Sequence, residues 1–183
     1  MLRRALLTLA LLALAPVSAM ADTVVNLAHP APDGAITQLL LTDGRVIVQG
    51  YAENDWWTLT PDSKGSYING TWKQVASPSG YVPLYVASAV LADGRVVIAG
   101  GEYLHGNFAF TNQSALYDPV KNKWTDITPD RKLLPFIGDS PATVLADGRF
   151  AVGEKFKKYV FAFDPKTLTW SELPSDNKHD FNA

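Results

Sequence analysis

Apolar residues along this chain come in short runs separated by polar turns, with no sustained helical period. The same order of runs returns three times. Leu39-Leu40-Leu41, Ala89-Val90-Leu91 and Thr143-Val144-Leu145 each lead into an Asp-Gly-Arg turn, and Val46-Ile47-Val48, Val96-Val97-Ile98 and Phe150-Ala151-Val152 each leave it. The turns, at Asp43-Gly44-Arg45, Asp93-Gly94-Arg95 and Asp147-Gly148-Arg149, lie 50 and 54 residues apart; Trp72, Trp124 and Trp170 follow at spacings of 52 and 46. Asp-Gly between apolar runs predicts a tight hairpin, expected as a type I′ turn with positive φ at both central residues. Third strands ending in Tyr117-Asp118-Pro119 and Phe163-Asp164-Pro165 turn through Lys121-Asn122 and Lys166-Thr167 to the tryptophan of a fourth strand. The first unit keeps Pro61 and Trp72 and carries a longer hairpin over Asp62 to Asn69. Second strands that are apolar throughout predict burial on both faces, as when sheets stack on one another. A period near 50 residues built from short strands therefore predicts an all-β repeat: a β-propeller of four-stranded antiparallel blades, three of them present.

The ends of the chain carry different signals. Leu2-Arg3-Arg4, the Ala/Leu-rich run from Ala5 to Ala15 and Ala19-Met20-Ala21 have the three parts of a secretory signal, with cleavage expected after Ala21. That run stops at Pro16, short of the roughly 20 apolar residues that span a bilayer. The expected organisation is a signal peptide over 1–21, a closing outer strand within 22–30, blades over 35–78, 85–129 and 140–174, and an inter-blade tail over 175–183. Val24-Val25-Asn26-Leu27-Ala28 aligns with Trp72-Lys73-Gln74-Val75-Ala76, like a fourth strand without its tryptophan. Such a strand would complete the last blade of a ring. Since the sequence stops where a fourth unit should begin, it reads as a partial propeller, the alternative being a ring closed by a homo-oligomer.

Composition narrows the partners. Removal of Arg3 and Arg4 with the signal takes the formal charge from −2 to about −4, and no basic stripe appears, which disfavours nucleic acid and, after signal removal, membrane surfaces. The chain has no cysteine, so an exported protein of this kind has neither disulfides nor thiolate metal sites. With 47% hydrophobic residues and five tryptophans, a buried core must hold it together. Its expected location is periplasmic or extracellular.

The middle unit runs Val96-Val97-Ile98-Ala99-Gly100-Gly101, then Tyr117 and, seven positions on, Trp124. This resembles the kelch repeat: an apolar run, a diglycine, then spaced Tyr and Trp. The first unit has Gln49-Gly50-Tyr51 in place of the diglycine, and the third has Gly153-Glu154 with Phe163 in the Tyr place. The resemblance covers essentially all of the mature chain and implies a kelch-type propeller of the exported, galactose-oxidase-like kind. Copper enzymes on that fold need two Tyr, two His and a Cys. This chain offers no Cys and only His29, His105 and His179, so no metal and no cofactor is expected. The resemblance also admits sugar-anomer conversion, for which Glu102 and His105 would supply acid and base.

Candidate sites lie in loops. The Asp-Gly-Arg turns and repeated tryptophans recur in every unit and so read as framework. The connections between second and third strands vary instead, and in an up-and-down blade they emerge on one face together with the inter-blade links. That face is expected to carry Glu53, Asn54, Asp55, Trp56 and Trp57 from the first unit. The second contributes Glu102, Tyr103, His105 and Phe108, and the third Glu154, Lys155 and Lys157. Aromatic rings beside carboxylates and amides suit a glycan or a protein surface, because rings stack while acids accept hydroxyl hydrogens. The expected function is binding through this face, with a carbohydrate-active enzyme as the alternative. Asn69-Gly70-Thr71 and Asn112-Gln113-Ser114 fit the glycosylation acceptor pattern. The acidic stretch Asp176 to Asp180 reads as an inter-blade loop rather than a cation site.

Overall fold

The computed structural model describes residues 24–51 and 54–174. The signal segment, Glu53 and the 175–183 tail lie outside the described residues. Each apolar-turn-apolar unit forms one four-stranded antiparallel sheet. The first orders β1 (Gln38–Leu40), β2 (Val46–Gln49), β3 (Trp56–Thr60) and β4 (Thr71–Val75) from edge to edge. After a short strand β5 (Pro83–Leu84), the second sheet contains β6 (Ala87–Val90) and β7 (Val96–Ala99). It is completed, beyond the short strands β8 (Tyr103–Leu104) and β9 (Asn107–Phe108), by β10 (Ser114–Asp118) and β11 (Lys123–Asp126). The third runs β12 (Ala142–Val144), β13 (Phe150–Gly153), β14 (Val160–Asp164) and β15 (Thr169–Glu172). Of the first strands, β6 adjoins both β1 and β12, which arranges the sheets as successive blades around a common inner edge.

Period-two alternation decides which core each residue enters. On β7, Val96 and Ile98 pack with Ile47, Trp56 and Tyr81 in a core between the first and second blades. Val97 and Ala99 face the other way, joining Phe150, Val152, Phe161 and Phe163 between the second and third. All four β7 residues are buried, as their unbroken apolar run predicts.

The Asp-Gly-Arg turns differ from the expected type I′ form. Positive φ is confined to the glycines, at 85° for Gly44 and Gly94 and 90° for Gly148. The Gly44, Gly94 and Gly148 amides bond back to the carbonyls of Leu41, Leu91 and Leu145 three residues earlier. This is a three-residue loop in which a right-handed turn is followed by a left-handed glycine. Asp stays in ordinary conformation because it has other work: Asp43 Oδ1 accepts the Arg45 amide at 3.0 Å, while its Oδ2 takes the guanidinium at 2.7 Å. Asp93 with Arg95 and Asp147 with Arg149 repeat both contacts. The Arg95 guanidinium also donates to the Pro165 carbonyl at 2.6 Å, stitching the second blade to the third.

The second-to-third-strand connection of the middle blade is not a bare loop. A two-residue His105-Gly106 turn, both at positive φ, joins β8 to β9, and β5 pairs with β8 to make a separate three-stranded sheet. The diglycine makes room for this excursion. A Cβ on Gly100 would run into the Gly138 carbonyl and the Ile137 side chain, and Gly101 lies at φ 115° against the Leu84 carbonyl.

Candidate functional site

Connections between second and third strands and links between blades emerge on one face, opposite the Asp-Gly-Arg turns. Among the described residues, the exposed Tyr and Phe side chains all lie here: Tyr51, Phe108, Phe156 and Tyr159 on the connections, Tyr85 and Phe136 on the links. The opposite face shows aliphatic tips instead, Ile68, Val120 and Leu168 on its hairpins.

Five rings on this face form a continuous edge-to-face arc across two blades. Tyr85 meets Tyr103 at 5.9 Å between centroids, Tyr103 meets Phe108 at 5.8 Å, Phe108 meets Phe110 at 5.0 Å, and Phe110 meets Phe156 at 5.1 Å. Each step has the tilted geometry that aromatic quadrupoles favour. Tyr85 at one end is 59% exposed, Phe108 63% and Phe156 at the other end 51%. Both terminal rings sit on left-handed backbone, φ 55° for Tyr85 and 64° for Phe156. Bulky residues there cost on the order of 1–3 kcal/mol. Phe156 occupies a turn closed by the Lys157 amide on the Glu154 carbonyl, where glycine would be unstrained.

The sequence-predicted residues divide. Tyr103 and Phe108 belong to the arc, and His105 caps the β8–β9 turn, exposed. Glu102 is half-buried, its amide bonded to the Leu84 carbonyl. Trp56, in contrast, is 0% exposed and packs on Trp124 at 5.0 Å in the core between the first two blades, so it touches no ligand. Trp57 is half-buried on the reverse side of β3. Asn54 is exposed, and Asp55 accepts from Gln74 at 3.1 Å. Lys155 is only 9% exposed: its ammonium ion-pairs with Asp139 and lies 5.0 and 5.1 Å from the Phe110 and Phe156 ring centres, where it props the arc from beneath. Lys157 stays exposed. Burial pushes the Glu154 carboxyl above its ordinary value, with Lys157 pulling it down and Glu172 adding to the rise. The sequence reading missed Tyr85, Phe110 and Phe156; the signal it had for them was their place on inter-blade links and variable connections.

A cleft of about 430 Å³ lies on the opposite face between the second and third blades and is lined by Asp93, Asp147, Arg149 and Asp164 among others. Its acids are committed to the turns, Asp93 to Arg95 and Asp147 to Arg149. The buried Asn112 spends its amide on the Pro129 and Leu134 carbonyls, which removes the second glycosylation pattern from use; Asn69 is exposed on its hairpin.

Fold and face together define the class: an all-β protein of propeller type, built from four-stranded antiparallel blades. No family profile matches the chain. Galactose oxidase from Gibberella zeae is 28% identical over 130 residues, covering 70% of this chain and 18% of that protein. The chain thus spans under a fifth of its curated relative. Among solved structures, a fungal alcohol oxidase of the AA5 family in complex with copper aligns over 87% of this chain and 34% of its own, with a TM-score of 0.60 and 20% identity. The structure of YjhT aligns over 84% and 54%, with a TM-score of 0.61 and 17% identity. At these identities the structural likenesses speak for the fold.

A copper centre does not fit the residues described. His29 lies on the N-terminal segment and His105 on the β8–β9 turn, no cysteine is present, and among the described residues no three His, Cys, Asp or Glu side chains gather as a metal-holding group.

Proposed function

We propose that this chain is part of an exported kelch-type propeller that binds a glycan through the face bearing the aromatic arc. The observation that carries this reading is the confinement, among the described residues, of exposed Tyr and Phe rings to one face, with two of them held on strained backbone. Strain retained at exposed aromatic positions does nothing for the core, and exposed rings beside hydroxyl acceptors suit the apolar faces and hydroxyls of sugars. The amino-terminal signal pattern supports export, and the likeness to a protein named galactose oxidase supports a sugar over a protein partner.

The test is titration of the full chain with mono- and oligosaccharides, followed by tyrosine and tryptophan fluorescence and by calorimetry. Saturable binding that Phe108→Ala weakens at least about tenfold, a loss of about 1.4 kcal/mol, is the expected result. Binding unchanged by Phe108→Ala and Tyr85→Ala would move the site off this face, and a response only to proteins would replace the glycan.

The second reading, a carbohydrate-active enzyme, rests on the same likeness to galactose oxidase. Under it, chemistry would require groups beyond those described here. Release of peroxide or conversion of anomers by the full chain with the sugars that bind would favour it.

A further inference from the structure

We propose that the arc takes an extended oligosaccharide, a run of five equatorially linked pyranose units laid across the second and third blades, rather than a single sugar; this deepens the glycan reading and rests on it. The order of exposure along the arc carries the inference. Tyr85, Phe108 and Phe156 are exposed, and the rings between them, Tyr103 and Phe110, are half-buried. Exposed supports thus recur at every second ring, two steps of 5.0–5.9 Å apart. A pyranose ring is about as wide as a phenyl ring. In an equatorially linked chain each unit advances by about one ring width and is turned over relative to the last, so every second unit offers the same apolar face on the same side. That is the spacing of the exposed rings. The first, third and fifth units rest on Tyr85, Phe108 and Phe156, while the units between them pass over Tyr103 and Phe110.

Exposure and strain both favour a long ligand over a small one. At 51–63% exposure none of the three supports lies in a walled pocket, so each grips one sugar only weakly and affinity has to accumulate over units joined in one chain. The strain sits at both ends. Tyr85 at φ 55° and Phe156 at φ 64° are the terminal supports, and a single sugar, which reaches one ring or two, would leave one of them held at a cost without use.

The supports are also fixed before any ligand arrives. β8 pairs with β5 on one side and β9 on the other, which sets Tyr103 opposite both Leu84, the neighbour of Tyr85, and Phe108. At the far end the buried Lys155 ammonium, paired with Asp139, lies against Phe110 and Phe156. A preformed track lowers the ordering cost of binding a flexible chain.

Calorimetry of the full chain with the cello- and xylo-oligosaccharide series, from monosaccharide to hexamer, and with maltohexaose tests this. In at least one series affinity should rise at least about tenfold from trimer to pentamer and then level off, while maltohexaose, whose axial anomeric bonds coil the chain, should bind at least about tenfold more weakly than the hexamer of that series. Single-ring variants sharpen the reading. A trimer spans two neighbouring supports and can use either end, so Tyr85→Ala or Phe156→Ala should cost it about twofold, the loss of one of two registers, yet bring the pentamer down to the affinity of the trimer. Phe108→Ala, which removes the shared middle support, should weaken both. None of the three rings belongs to either core, and unchanged urea midpoints confirm that each variant is folded. Equal affinity from monosaccharide to hexamer, still weakened by Phe108→Ala, would overturn the extended ligand and leave the glycan reading standing. Maltohexaose binding as well as the straight hexamers would overturn it too, and no response to any saccharide would overturn both.

Discussion

Glycines in this chain answer two separate demands, and substitution tells them apart. Gly148 needs only its φ of 90°, with open space where a Cβ would go, whereas Gly100 combines φ 77° with a carbonyl and a side chain in that space. Gly148→Ala should cost about 1–2 kcal/mol, the ordinary penalty of left-handed backbone. Gly100→Ala should cost clearly more, because the Gly138 carbonyl must move too; urea unfolding of the two variants measures the difference, and equal costs would deny the close approach. Phe156 poses the reverse case. Its φ of 64° suits glycine, so Phe156→Gly relieves strain while it removes one end of the arc. Stability should hold or rise by up to about 1 kcal/mol, and, if the proposed glycan binding uses this face, affinity for the glycan should fall, the trade expected of a functional strained residue. A loss of stability with unchanged affinity would make Phe156 a packing residue.

At the scale of elements, the Asp-Gly-Arg turn acts as a small device for acid sensitivity. The Arg45 guanidinium beside Asp43 holds its carboxyl below the ordinary 3.8, and Arg149 does the same for Asp147. At Asp93 burial pushes upward, but the bonds from Arg95 outweigh it and the net shift is again down. Between 3.8 and the lower folded values the unfolded chain binds more protons, so stability rises with pH there: the contribution is complete above 3.8 and fades as pH falls through the folded values. The urea midpoint should therefore fall as pH drops below about 3.8 and on through the lower folded values. Replacing Arg45, Arg95 and Arg149 together by Gln should flatten that drop, as midpoints across the range would show. The turn also marks how far sequence reaches. Strand order, blade period and burial of β7 were legible because alternation and Asp-Gly spacing are local signals. The turn type was not, since Asp43 is held by the Arg45 amide and guanidinium, a contact that dipeptide preference does not encode. Trp56 was misplaced for a similar reason: it neighbours a loop in sequence, but its parity on β3 turns it into the core. Tyr85, Phe110 and Phe156 meet only through tertiary folding across two blades, and no local pattern announces that.

At the scale of the whole molecule, stability is shared between neighbours in a line. The core between the first and second blades and the core between the second and third both draw on β7 and β10, through Val96, Ile98 and Tyr117 on one side and Val97, Ala99 and Leu116 on the other. In such nearest-neighbour architectures each unit is stabilised by the interfaces it shares, so the central unit gains twice. The Trp124 and Arg95 contacts add to this, reaching from the second blade back to Ala76 and forward to Pro165. Native-state hydrogen exchange should accordingly show the slowest amides on β7 and β10, with β2 and β3 of the first blade and β13 and β14 of the third opening earlier. Val97→Ala should speed exchange in the third blade more than in the first, and Ile98→Ala the reverse, because the alternating side chains feed different cores. Uniform exchange across the three blades, or identical responses to the two variants, would mean that they unfold as one unit and that the interfaces carry no separate weight.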